Sequence, residues 1–128
     1  MGVELQLLIW AVVLTFVQVL IAVAGSTQVN GLTTLAGNRE GLQAPSGWAG
    51  RAERAHRNML ESLPLFAALV LVAQVSGHLN AMTALGAQIF FWARLVYAVI
   101  YLIGIPWART LVWLVSVVGL ILIFLQLI

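Results

Sequence analysis

The chain of 128 residues contains no cysteine. Disulfides, a cysteine nucleophile and thiolate metal sites are thereby excluded. Lysine and aspartate are absent too: the six basic residues are all arginine and the four acidic ones all glutamate. Charged residues make up 8% of the chain, against about 25% in an ordinary soluble domain. So sparse a set cannot cover a folded surface in water. His56 and His78 are too few and too far apart for a zinc motif. A sequence pI of about 10.0 does not signal nucleic acid, because a few arginines scattered over an oily chain make no basic groove.

Hydrophobic residues supply 62% of the sequence, and the mean hydropathy is +1.05. These values specify an all-α integral membrane protein. The length accommodates four spans with short connections. Four helices leave little interior in which to hide a polar site, which favours oligomerisation.

The first span is expected over residues 4–29, where "LQLLIWAVVLTFVQVLIAVAG" offers roughly twenty apolar residues, enough for ~30 Å of hydrocarbon. A cleaved leader would need a basic n-region and a shorter apolar core; the one early charge is Glu4, so the segment reads as a span. Residues 30–50 form the longest connection, rich in Gly, Asn and Ser. The second span is expected over 50–75, a short "SGHLN" turn follows, and the third covers 81–103. "GIP" then breaks the chain: Gly104 suits a helix end, and Pro106 suits the first turn of a fourth span over 107–128. Arg39, Arg51, Arg54 and Arg57 lie in or beside the first loop and Arg109 beside the third. The positive-inside rule puts loops one and three in the cytoplasm and both termini outside.

Against this background "RAERAHRNMLESLP" (Arg51 to Pro64) is anomalous: arginines and glutamates crowd the start of a hydrophobic helix. Arg54, Asn58 and Glu61 are spaced i, i+4, i+7 and share one face. Glu61 lies ~10 Å deeper than Arg54 along the axis, and its short side chain cannot snorkel far. Ionised, it must be paired or line a wet cavity. Two readings fit. Glu61 pairs with Arg57, Arg54 or Arg94 and merely ties helices together. Alternatively, the face lines a pocket open to the cytoplasmic interface, where arginines clamp carboxylates, Glu61 accepts from an ammonium and Asn58 serves either. Pro64 removes one helix hydrogen bond beside this face and is expected to kink the span.

On the third span, Arg94, Tyr97 and Tyr101 again share a face. An arginine near mid-membrane demands burial with a partner, whereas tyrosines there also serve as ordinary interfacial residues. Arg109 opens the fourth span, either as a cytoplasmic anchor or as a cation facing a developing negative charge, with Thr110 beside it. Trp10, Trp48, Trp107 and Trp113 read as belt or packing residues, and His56 as facing solvent or headgroups.

"RAERAHRNMLESLPLF", "ARLVYAVIY" and "GIPWARTLVW" together resemble the MAPEG family, the membrane-associated proteins in eicosanoid and glutathione metabolism, and most closely its small bacterial branch. The specific core is R-A-x-x-N-x-x-E-x-x-P, met by Arg54, Ala55, Asn58, Glu61 and Pro64. The resemblance implies a four-helix protomer in a homotrimer of the bacterial inner membrane. Glutathione, as cosubstrate, would occupy a cytoplasm-facing pocket between protomers. Arg54, Asn58 and Glu61 would hold it, with Arg57 close by and Arg94, Tyr97 and Tyr101 contributing from the third span. Arg109 matches the arginine that stabilises the thiolate, Thr110 stands where some members have serine, and Arg39 would match a basic residue ending helix one. The expected activity is that of a glutathione transferase or peroxidase acting on lipophilic electrophiles. The alternative is a non-catalytic, lipid-binding or accessory subunit of a larger membrane complex. A transporter or channel subunit would want polar residues in every span, and spans one and four are almost wholly apolar.

The lack of native cysteine makes the orientation directly testable. A cysteine replacing His78 should react with an impermeant maleimide added to intact cells, and one replacing Ser46 only after permeabilisation. The opposite pattern would reverse the assignment.

Overall fold

Apolar residues at helical spacing and backbone groups that must bond internally in lipid leave helices as the economical solution for each long run. The computed structural model describes residues 1–37 and 46–128. It contains α1 (Val3–Asn30), a short α2 (Leu32–Ala36), α3 (Gly47–Ser76), α4 (Ala81–Ile103) and α5 (Pro106–Leu127), with no strand among the described residues. The four long helices each carry an 18-residue window of mean hydropathy between 1.6 and 2.7, long and apolar enough to cross a bilayer. Their outward faces carry Ile9, Phe16, Leu71, Trp92, Leu114 and Phe124, all exposed. The chain is thus a multi-pass integral membrane protein built as a four-helix bundle. α2 falls within the stretch read from sequence as loop.

The helix ends are set by local chemistry. Asn80 caps α4: its Oδ1 accepts from the Met82 and Thr83 amides at 2.8 and 2.9 Å, and Thr83 Oγ1 accepts from the Asn80 amide at 2.8 Å. This reciprocal pair satisfies donors that the first turn would otherwise orphan. Glu4 of α1 is buried, and Thr83 Oγ1 donates to its carboxylate at 3.0 Å, tying α1 to the start of α4. α4 ends at Gly104, whose φ of 91° favours glycine. Arg51 Nε reaches across from α3 to donate to the Leu102 carbonyl at 2.9 Å, so this arginine of the charged stretch closes a helix terminus. Pro106 occupies the first turn of α5. α3 remains helical through Pro64.

Consecutive spans pack as pairs, α1 with α3 and α4 with α5, and α3–α4 and α1–α4 contacts join the pairs. In lipid the hydrophobic effect does not drive helices together, so close packing and small residues must. At the α4–α5 crossing, a Cβ on Gly86 would stand 2.6 Å from the Gly119 carbonyl oxygen, and one on Gly119 would meet the Gly86 oxygen equally closely. α1 and α3 meet in the same way at Gly25 and Ala49, where an added Cβ would lie 2.7 Å from the Ala49 methyl.

α4 is the central helix. Its buried stripe changes character along its length. Ala87, Phe90 and Phe91 make the apolar end, and Arg94, Tyr97 and Tyr101 the polar one. At the apolar end Phe66 of α3 stacks on Phe90 with ring centroids 4.2 Å apart, both fully enclosed. Met59 and Val70 of α3, Leu7 and Ala11 of α1 and Ile123 of α5 complete this core.

Because the atoms opposing Gly86 and Gly119 are backbone, they cannot step aside. Gly119→Ala should therefore cost about 1–3 kcal/mol, as overpacking does, read as a lowered unfolding midpoint in detergent. An unchanged midpoint would mean that the crossing is looser than described.

Candidate functional site

Two helices meet at the polar end of the bundle with matching faces. On α3, Asn58 follows Arg54 by one turn and is half-buried, while Arg54, Arg57 and Glu61 are exposed. On α4, Arg94 and Tyr97 turn inward toward α3. Arg94 is 1% exposed, and its Nη2 donates to Asn58 Oδ1 at 2.6 Å. Its guanidinium carbon lies 4.3 Å from the centre of the Tyr97 ring. Nε and Nη1 have no partner among the described residues, nor does any carboxylate pair with this cation there. A desolvated guanidinium with one hydrogen bond and one aromatic face is under-satisfied for its depth.

The contacts continue along α4 toward its C-terminal end. Tyr97 meets Tyr101 edge-on with centroids 5.5 Å apart, and the guanidinium carbon of Arg109, from the first turn of α5, lies 4.6 Å from the centre of the Tyr101 ring. Asn58, Arg94, Tyr97, Tyr101 and Arg109 thus form one unbroken run across three helices. Ala55 and the partly buried Val112 pack against the two tyrosines; at Ala55 a small side chain leaves room for both rings. Guanidinium groups held over aromatic faces gain from the ring quadrupole while their N–H groups, which lie in the guanidinium plane, stay available to other partners.

A cleft of about 180 Å³ opens on this run, lined by Asn58, Tyr97, Arg109, Thr110 and Trp113. Its wall is mixed: an amide, a phenol, a guanidinium and a hydroxyl against an indole. Such a wall can orient a polar guest through a few convergent groups. Thr110 Oγ1 donates to the Pro106 carbonyl at 3.3 Å, and the hydroxyl oxygen remains an acceptor.

The residues expected from sequence divide into three groups. Asn58, Tyr97, Arg109 and Thr110 line the cleft. Arg94 and Tyr101 stand behind it, the first holding Asn58 and the second supporting Arg109. Arg54, Arg57 and Glu61 sit on the exposed face of α3, outside the lining of the cleft. Arg57 pairs with Glu53 at 2.9 Å, one turn away on the surface; neither Arg54 nor Arg94 pairs with Glu61 among the described residues. The tying role considered for Glu61 is therefore not one this protomer performs. Arg39 lies outside the described residues. His56 is half-buried, with Nδ1 shielded and unpartnered, rather than fully facing solvent or headgroups.

Trp113, read from sequence as a belt or packing residue, lines the cleft. The available signal was its i+4 spacing from Arg109, which puts both on one helix face. The buried polar groups of α1, Glu4, Thr15 and Gln18, were likewise not read as buried; in an almost wholly apolar helix the buried face does not stand out from the exposed one.

A model of the MAPEG family matches residues 5–128, essentially the whole chain. No curated protein and no solved structure matches it.

The Arg94–Asn58 bond can be weighed by a double-mutant cycle in detergent. Asn58→Ala should destabilise by about 1.5–3 kcal/mol, the range for a hydrogen bond to a charged group, because it strands a buried guanidinium. In an Arg94→Met background the same change should cost much less. Equal costs in both backgrounds would show that the bond is not a coupled contact.

Proposed function

This chain belongs to the MAPEG family, and from that premise we propose that it is a glutathione-dependent membrane enzyme of the transferase or peroxidase type. The family holds glutathione-dependent transferases and peroxidases as well as non-catalytic members. The observation that favours catalysis is the continuous run from Asn58 through Arg94, Tyr97 and Tyr101 to Arg109, with the cleft on its face. A scaffold needs packing at such a place, not a guanidinium aimed along a tyrosine.

Glutathione carries two carboxylates, an ammonium group and a thiol. Arg54 and Arg57 offer forked donors for carboxylates. Glu61 offers an acceptor for the ammonium, and Asn58, with its carbonyl engaged by Arg94, presents its amide N–H groups. Arg94 acts from behind, by fixing the rotamer of Asn58 and adding positive potential to a site that receives an anion. Arg109 makes no hydrogen bond to any described residue, so its donors are available to a sulfur. A cation there favours the thiolate over the thiol, and each unit by which the thiol pKa falls corresponds to ~1.4 kcal/mol of preferential interaction with the anion. The thiol proton leaves to solvent. In a substrate drawn from the bilayer the sulfur then displaces a leaving group, which departs with the bonding pair, from an electrophilic carbon, or takes the terminal oxygen of a hydroperoxide as the O–O bond breaks. In the second case the alkoxide takes a proton and leaves as the alcohol, and a second glutathione reduces the sulfenic acid to water and glutathione disulfide.

A single protomer leaves Arg54 and Glu61 exposed without an ion-pair partner among the described residues, beside the surface Arg57–Glu53 pair, along a membrane-spanning helix. Bare hydrocarbon does not tolerate an ionised glutamate. In the proposed assembly a second copy covers this face and encloses glutathione between protomers, and a homotrimer closes the arrangement.

Calorimetry should detect glutathione binding to the detergent-solubilised protein. Glu61→Gln should weaken that binding roughly ten- to a hundredfold, as loss of a charged hydrogen bond implies. On adding glutathione, wild type should develop the ultraviolet absorbance of a thiolate and Arg109→Ala much less; equal signals would remove Arg109 from the mechanism. Binding without conjugation of any generic electrophile would favour the non-catalytic alternative, and no binding at all would sink both glutathione roles.

A further inference from the structure

Three span ends meet at one level. Arg51 is in the second turn of α3, Leu102 is the last residue but one of α4, and Pro106 begins α5. By the lengths of the spans this level is the edge of the hydrocarbon, where headgroups begin. The side chain of Arg51 is half-buried and lies over the turn between α4 and α5: a Cβ on Gly104 would stand 3.3 Å from its Nε. That Nε donates to the Leu102 carbonyl at 2.9 Å. Trp48, one turn before Arg51, is exposed, and so are Ile105 and Trp107 beside the turn, Trp107 to 82%.

The bond to Leu102 orients the guanidinium and leaves its other edge unused. Nη1 and Nη2 make no hydrogen bond and no ion pair among the described residues, and neither is shielded from the surface. Glu53, the acid nearest in sequence, is held by Arg57 at 2.9 Å, and Glu61 lies ~15 Å deeper along α3. The junction therefore presents an oriented pair of donors whose charge no described acid offsets. Such a planar fork matches two oxygens of a phosphate. The apolar neighbours decide where the phosphate comes from. Indole rings favour the zone where headgroups meet acyl chains, and a soluble anion would leave them uncovered. Basic groups at this depth attract anionic lipids. A headgroup carrying an ammonium finds no free carboxylate beside Arg51, so an anionic lipid fits better than a zwitterionic one.

We infer that the open edge of the Arg51 guanidinium binds the phosphate of an anionic membrane phospholipid, with Ile105 and Trp107 set into the boundary between its headgroup and acyl chains. The site is separate from the cleft lined by Asn58 and Arg109 and does not depend on the glutathione reading. Arg51 then has two tasks. Its Nε closes the end of α4, and its Nη pair ties the junction of α3, α4 and α5 to the leaflet.

The probes are dioleoyl phosphatidylglycerol and dioleoyl phosphatidylcholine, which share chains and phosphate and differ in net charge. Each is titrated against the full chain in an uncharged detergent, and the bound lipid is counted by native mass spectrometry. Wild type should bind phosphatidylglycerol roughly tenfold tighter than phosphatidylcholine, equivalent to about 1.4 kcal/mol. Arg51→Gln should bring the ratio close to one, with the unfolding midpoint measured alongside to show a folded chain. Arg51→Lys keeps a cation at the helix end and loses the fork; it should bind phosphatidylglycerol several-fold more weakly than wild type. Arg57→Gln removes the same charge from the same end of α3, at a residue already paired, and should keep the wild-type ratio. A wild-type ratio near one, a preference that survives Arg51→Gln, undiminished binding in Arg51→Lys, or an equal loss in Arg57→Gln would each overturn the proposal. So would displacement of the lipid by an equal concentration of inorganic phosphate, which would assign the site to a soluble anion.

Discussion

A fixed positive charge inside a membrane protein must be met from several sides at once, because no solvent is there to share the task. Arg94 imposes that requirement on the polar half of this bundle. Its guanidinium takes Asn58 Oδ1 at 2.6 Å and lies against the face of Tyr97, so α3 and α4 must approach with these residues in register. Tyr97 in turn places Tyr101, and Tyr101 supports Arg109 from α5. Three helices are thereby locked at one level by a charge that none could bury alone. Arginine suits the position because it stays charged and presents donors in a planar fork that also stacks on a ring. Lysine gives up its proton far more readily when buried and would lose both the fork and the stacking.

The opposite half of the bundle is held differently. There the Phe66–Phe90 stack, the Gly86–Gly119 crossing and the Asn80 cap bring the same helices together without charge. Among the described residues the one acid in that half, Glu4, is buried at the start of α1 and accepts from Thr83. It stands in the first turn, where the helix dipole favours a negative group. The division of labour is physical. A close-packed apolar half fixes the helix axes, and the polar half can then hold side chains in place without close-packing them, which leaves room for a cleft.

The exposed face of α3 carries a different message. Arg57 has satisfied itself locally with Glu53, whereas Arg54 and Glu61 have no ion-pair partner within the described protomer. Charges at this depth on a lipid-facing helix are unstable unless something covers them. That incompleteness is the physical basis for proposing both a neighbouring protomer and a zwitterionic guest.

The sequence alone determined the class of the protein. A near-absence of charge and four apolar runs leave only a helical membrane bundle, since backbone polarity in lipid must be satisfied within each segment. Periodicity placed Arg54, Asn58 and Glu61 on one face and Arg94, Tyr97 and Tyr101 on another, because helical geometry is local and readable from spacing. Which of these residues meet was not readable. Arg94 turned out to bond Asn58 and not Glu61, Arg51 to close the end of α4, and Trp113 to line the cleft. Those outcomes depend on the rotation and offset of one helix against another. The glycine contacts and the aromatic core set these between segments far apart in sequence, and only the packed bundle decides them.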